Sequence, residues 1–170
     1  MAQKQKKIYS NKEVLDWAVG KARTAAGYRK NIMKTTEKMR DFPMTGKMYF
    51  FWYDPKYKAV LPIYDRFPLV LPIDFYMDGF LGLNLHYLKP IERETLLDRL
   101  LSYRNNNYMD ESTKLRLSYE LLSRTRRISN LARPCIKRYL YSHVQSSFVQ
   151  VPADEWELAV NLPVQFFVEK

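Results

Sequence analysis

The chain has 170 residues, 46% of them hydrophobic and 15% aromatic, and a formal charge of +10. That length fits one domain, or a domain with an arm, and buries roughly 70% of its unfolded surface without metal or disulfides. The composition excludes collagen, simple disorder and a disulfide scaffold, and the lone Cys135, which suits a reducing compartment, excludes an internal disulfide.

The charge is unevenly spread. Residues 1–48 carry 12 basic and 4 acidic side chains, residues 49–112 carry 7 and 9, residues 113–141 carry 8 and 1, and residues 142–170 carry 1 and 4. Two basic blocks around a neutral centre suit a polyanion or an acidic protein surface, and equally a solubilising shell. The first seven residues are polar and lack the apolar core of a signal peptide. Runs such as Leu69-Val70-Leu71-Pro72-Ile73 are too short to span a bilayer. The expectation is a soluble chain, intracellular when made, with no membrane partner.

In chain order, the first predicted element is a helix over about 11–26. Ser10-Asn11-Lys12-Glu13 has capping-box spacing, Val14, Trp17, Ala18, Lys21 and Ala25 follow at helical intervals, and Gly27 is a stop. Residues 28–39 are basic and weakly amphipathic, open between helix and extended arm, and Asp41-Phe42-Pro43 breaks them. The dense aromatic run at 47–53 reads as a strand turned by Asp54-Pro55-Lys56. Residues 67–73 are a second strand, whose prolines remove ladder donors and so place it at an edge or make its entry irregular. Asp78-Gly79 favours a tight hairpin. Leu81, Leu83 and Leu85 then alternate on one face, with Gly82 open to close backbone approach. The centre therefore predicts a small antiparallel SH3-like β-barrel or a strongly twisted sheet over about 47–88.

The rest reads as mainly helical. Pro90 suits a first helical position, Leu96, Leu97, Leu100 and Leu101 form a stripe, and Asn105-Asn106-Asn107 ends it. Asp110 or Ser112 caps a second helix containing Leu115, Tyr119 and Leu122. A third helix is predicted from Arg133-Pro134, with Ile136, Leu140 and Val144 on one face. Phe148-Val149-Gln150-Val151 is a short strand, and Pro152 opens a last short helix ended by Leu162-Pro163. The expected organisation is α+β: a basic N-terminal arm and helix over 1–46, then one domain over 47–170 with its β core at 47–88 and its helical part at 90–163.

Chemistry is poorly supplied. His86 and His143 lack a nucleophile or an orienting acid in any recognisable motif, and structural roles are expected for both. Asp54, Asp65, Asp74 and Asp78 fall around the sheet without the spacing of a metal site and read as turn formers. No catalytic residue, metal or cofactor is expected. The aromatic run offers base-stacking surface, but without interleaved cations it reads as a strand buried on both faces. The sharper signal is basic. Arg124, Arg126, Arg127, Arg133, Lys137 and Arg138 lie within residues 124–138, which contain no acid. Read as helix, they line up for phosphate oxygens or for the acids of a neighbouring subunit. Lys4, Lys6 and Lys7 are the corresponding candidates in the arm.

Three central stretches carry a resemblance: residues 47–56 (Lys-Met-Tyr-Phe-Phe-Trp-Tyr-Asp-Pro-Lys), 61–70 (Leu-Pro-Ile-Tyr-Asp-Arg-Phe-Pro-Leu-Val) and 79–88 (Gly-Phe-Leu-Gly-Leu-Asn-Leu-His-Tyr-Leu). With residues 136–143, Glu155-Trp156 and Leu162-Pro163, they resemble a family of small virion or assembly proteins of contractile-tailed bacteriophages. The resemblance covers about half the chain and leaves 1–46 outside it. It implies a non-enzymatic structural protein of the neck, the tail or the DNA-end-protecting kind, located in the virion. It further implies other virion proteins as partners, in a symmetric assembly, while the basic segments are expected to meet either double-stranded DNA, without sequence specificity, or acidic faces of those subunits. A stand-alone nucleic-acid-binding regulatory module and a small metal-dependent nuclease are the competing readings.

Overall fold

A computed structural model describes residues 29, 30, 32–34, 38–128 and 135–169. The helix predicted over 11–26 lies outside them. The strands are β1 (Met39–Arg40), β2 (Met48–Phe50), β3 (Ile63–Asp65), β4 (Leu69–Tyr76), β5 (Gly79–Asn84), β6 (Ile136–Leu140), β7 (Phe148–Val151) and β8 (Phe167–Glu169). Six of them pair antiparallel in the order β1-β7-β2-β4-β5-β6, and β3 pairs with β8 in a separate antiparallel ribbon. The fold is α+β with an open sheet. The barrel alternative is overturned, because β1 and β6 end the sheet on opposite sides and do not pair.

The aromatic run explains why the sheet sits at the centre. Strand residues alternate between faces, so Phe50 faces one way and Tyr49, Phe51 and Tyr53 the other. On the first side Met48, Phe50, Leu69, Leu71, Leu83, Val149 and Val151 meet two helices, α1 (Pro90–Arg104) and α3 (Trp156–Asn161). Those helices contribute Leu96, Leu97 and Leu100, and Trp156, Ala159 and Val160. On the second side Tyr49, Phe51, Tyr53, Val70, Phe80, Tyr139 and Phe148 form an aromatic cluster. Its rings meet mostly edge to face, as with Phe51 against Tyr139 at 5.2 Å and against Phe148 at 4.9 Å, the arrangement that ring quadrupoles favour.

β4 lies between β2 and β5, not at an edge. Pro68 precedes it, and Pro72 within it is tolerated because β2 pairs only with Leu69 and Val70, so from Pro72 onward only β5 flanks the strand, and a register shift sits between Pro72 and Asp74. The hairpin falls where Asp78-Gly79 predicts, but Gly79 is paired with Tyr76 in the ladder. A Cβ on Gly79 would stand 2.0 Å from the Tyr139 carbonyl oxygen, so it is close approach of β6 that requires glycine there.

The largest correction is at 136–140, read from the sequence as helix and found as strand β6, paired along β5 from Gly79↔Leu140 to Leu83↔Ile136. Ile136, Leu140 and Val144 fit a helical stripe by spacing, but Tyr139 is buried against Phe80 and Tyr53. Short runs of β-branched and aromatic residues are decided by such tertiary partners. The sheet thus draws β1, β6 and β7 from outside 47–88. Helix α1 opens with the Glu92 carboxylate accepting the Lys89 backbone N–H at 2.9 Å. Helix α2 (Glu111–Ile128) packs on α1 and touches β4, where Tyr119 Oη donates to Asp74 at 3.0 Å. Among the described residues no helix is long and apolar enough to cross a membrane.

The packing at Gly82 gives a test. A Cβ there would lie 2.3 Å from Val70 Cγ1, and Val70 is fully buried. Gly82→Ala is expected to cost about 1–3 kcal/mol through overpacking. Adding Val70→Ala should recover part of that loss, giving a coupling of about 1 kcal/mol in a double-mutant cycle. Denaturation midpoints that simply add would contradict this packing.

Candidate nucleic-acid interface

The later basic block is split between a helix and a strand. Asp110 caps α2, its Oδ1 accepting the Thr113 N–H at 2.8 Å and its Oδ2 the Thr113 hydroxyl at 2.9 Å. The Thr113 N–H, the Ser112 side chain and the Thr113 hydroxyl together hold its carboxyl down at about 2. At the other end Arg124, Arg126 and Arg127 occupy the last turns, where cations suit the negative end of the helix dipole. Arg116 and Arg124 are exposed. Arg133, like Lys4, Lys6 and Lys7, lies outside the described residues.

Lys137 and Arg138 stand on β6, so they do not continue a helical row, and as strand neighbours they face opposite ways. Lys137 is half-buried with its Nζ 4.3 Å from the centroid of the Tyr87 ring, and burial pushes its ammonium pKa down. Arg138 is exposed, lies 4.1 Å from the Tyr76 ring centroid and pairs with Asp78 at the hairpin. Arg138 sits opposite Leu81, which sits opposite Asp74, the acceptor from Tyr119 of α2. Two strand spacings, about 10 Å, therefore separate its backbone from that of Asp74, which α2 touches near the helix middle. The structure brings Arg138 toward α2 and turns Lys137 away.

Of the residues weighed for catalysis, His86 and Asp65 form a buried pair, so His86 does have an acid beside it, and His143, Asp54 and Asp78 make local contacts. His86 lies just past β5 in a 3₁₀ turn, Leu85–Tyr87, and not in the strand. Its Nδ1–H donates to Asp65 Oδ2 at 2.6 Å, with both side chains 1% exposed. Asp65 also accepts from Asn84 Nδ2 at 3.2 Å and from the backbone N–H groups of Phe67 and Phe166 at 2.9 and 3.2 Å. Burial pushes the Asp65 carboxyl up, but the bond and attraction from His86, with Phe67 and Asn84, outweigh it and leave its pKa lowered. Asp65 thus makes the local turn bond to the Phe67 N–H and is in addition a buried hub for distant segments. His143 sits in the 3₁₀ turn Tyr141–His143, not in a helix, and its Nδ1–H donates to the Asp54 carbonyl at 2.9 Å. Asp54 holds Lys58, and Asp78 holds Arg138. Among the described residues no three His, Cys, Asp or Glu side chains gather as a metal site.

One cationic constellation escapes sequence reasoning. Arg29 and Arg66 both approach the half-buried Phe166 ring, with their Cζ atoms 5.0 and 5.7 Å from its centroid. The three residues are too far apart in sequence for any spacing to connect them. Only the pairing of β3 with β8 brings Arg66 and Phe166 together.

Comparison with known families places the chain. Residues 5–170 match the family described as phage T4 terminal DNA protecting protein, and the chain belongs to that family of contractile-tailed phages. The match reaches back through most of 1–46, which the sequence resemblance had left out. No curated protein and no solved structure matches the chain.

The hub carries a pH signature. Asp65 has a lowered folded-state pKa, so its contribution is complete above the unfolded-chain value of about 3.9 and is withdrawn as pH falls below it toward the folded value. Asp65→Asn is expected to lose about 3 kcal/mol at pH 7, since a buried pair loses its charged partner, and to flatten the loss of stability below about pH 4. Urea unfolding of both proteins from pH 3 to pH 7 checks this. An Asn variant as stable as the parent at neutral pH would remove the hub from its role.

Proposed function

We propose that this protein binds the ends of linear phage DNA and shields them by occupancy, without making or breaking a bond. The observation that carries the reading is the match of nearly the whole chain to the terminal DNA protecting family. The charge supports it: +10 overall, concentrated in two blocks. A terminus is the same object whatever its sequence, so its grip needs phosphate contacts and no base readout. Arg forks supply such contacts by pairing with two phosphate oxygens at once. Arg124, Arg126, Arg127 and Arg133 are proposed as contacts, with Lys4, Lys6 and Lys7 in a basic arm preceding the domain. Arg138 joins them once its pairing with Asp78 is exchanged for a phosphate. Lys137, half-buried on Tyr87, contributes least. The protein is proposed to reside in the virion, at the neck or tail where DNA ends lie, in an assembly with other virion subunits.

Linear duplex incubated with a processive double-strand exonuclease should persist when the protein is bound. An endonuclease should cut the same DNA unhindered. Equal protection from both enzymes would mean general coating and would refute end binding. DNA loss caused by the protein itself with magnesium or manganese would refute the non-enzymatic reading.

The basic helix end gives a second measurement. With about five phosphates engaged, log affinity should fall against log salt with a slope near −4.5. Replacing Arg124, Arg126 and Arg127 together by Gln should flatten that slope by about 2.7, and Lys137→Gln should leave it nearly unaltered. The reverse pattern would move the contact to the sheet.

A further inference from the structure

We propose that Arg29 and Arg66, stacked against Phe166, form a binding site for a DNA phosphate. The inference rests on the DNA-end reading above and gives it a second contact surface, apart from the helix end.

Phe166 packs against Trp52, whose ring stands perpendicular to it at 6.0 Å between centroids. Arg29 Nη1 donates to the carbonyls of Val164 and Gln165 at 3.1 and 3.2 Å, so that guanidinium is anchored on one edge. Arg66 is held through its backbone, its N–H donating to the Phe166 carbonyl at 2.8 Å and its carbonyl accepting from the Tyr53 N–H at 3.0 Å. Its guanidinium makes no hydrogen bond among the described residues, while its Cζ lies over the Phe166 ring, 5.7 Å from the centroid. A cation–π contact of this kind restrains a guanidinium yet leaves N–H groups open to a bidentate oxyanion.

Among the described residues no carboxylate forms an ion pair with either guanidinium. Two guanidiniums converge on one ring, although one suffices for a cation–π contact. Asp54, whose carboxylate feels the Arg66 charge, is held through both oxygens by Lys58 at 2.9 and 2.7 Å. Asp65, next to Arg66 in sequence, points inward to His86. Exposed Lys56 and Lys58 lie on the loop that follows Asp54. A phosphate that reaches these guanidiniums offers their open donors a charge-assisted partner. A phosphate has the matching oxygen geometry.

Two sources of that phosphate are separable: the diester of the duplex backbone and the monoester at a 5′ end. Binding of the full-length protein is measured on a blunt duplex with 5′-phosphates, the same duplex with 5′-hydroxyls, and a closed circle. Arg66→Gln should weaken binding of the phosphorylated duplex about tenfold and flatten its salt slope by about 0.9. Arg29→Gln should act in the same direction. Arg66→Lys, which keeps charge but loses the fork, should stay about threefold weak. A loss shared by all three probes identifies a backbone diester, and a loss confined to the phosphorylated duplex identifies the terminal monoester. Thermal unfolding at the parent temperature shows that each variant is folded. If the parent protein binds ends and both Gln variants bind as the parent does, this site is overturned while the DNA-end reading stands. If the parent binds no DNA, both fall together.

Discussion

Asp65 accepts hydrogen bonds from four N–H donors that belong to three separate stretches of chain: Phe67, Asn84 with His86, and Phe166. A buried carboxylate without such partners would cost several kcal/mol. Satisfying it therefore fixes where the β3–β8 ribbon meets the end of β5. Arg66 and Phe166 adjoin Asp65 and Phe167, which face each other in the ribbon register. The position of the surface cations is thus set by a buried anion next to them in sequence. Arg93 reinforces the same region, donating to the carbonyls of Leu88, His86 and Val160 and so tying α1 to the turn after β5 and to α3.

The sheet divides the work between its faces. The aliphatic face is closed by α1 and α3, and the aromatic face is filled by rings packed on one another. The described cations weighed as contacts lie at the margins: Arg124 near the end of α2, Arg138 on edge strand β6 and Arg66 beside the ribbon. A protein that grips phosphates needs no deep pocket. It needs cations on rigid elements, held so that little side-chain freedom is lost on contact. Arg138 over Tyr76 and the two arginines at Phe166 show that arrangement. This is one use for the Tyr and Phe content beyond the core.

The sequence already held the central strands, the Asp78-Gly79 hairpin and the double-sided burial of residues 49–53, because alternation and turn chemistry are local properties. Basic character was readable as well, since charge is counted without knowing the fold. Its geometry was not. Residues 136–140 fit helical spacing and strand propensity alike, and only the β5 edge with the buried Tyr139 selects the strand, which separates Lys137 from Arg138. Asp65 read as a turn residue because its partners His86 and Phe166 are 21 and 101 positions away. Composition and periodicity thus establish a basic α+β protein with an aromatic centre. Tertiary structure alone decides that the sheet is open, which cations share a face and which carboxylate is buried, because each of these depends on contacts between segments far apart in the chain.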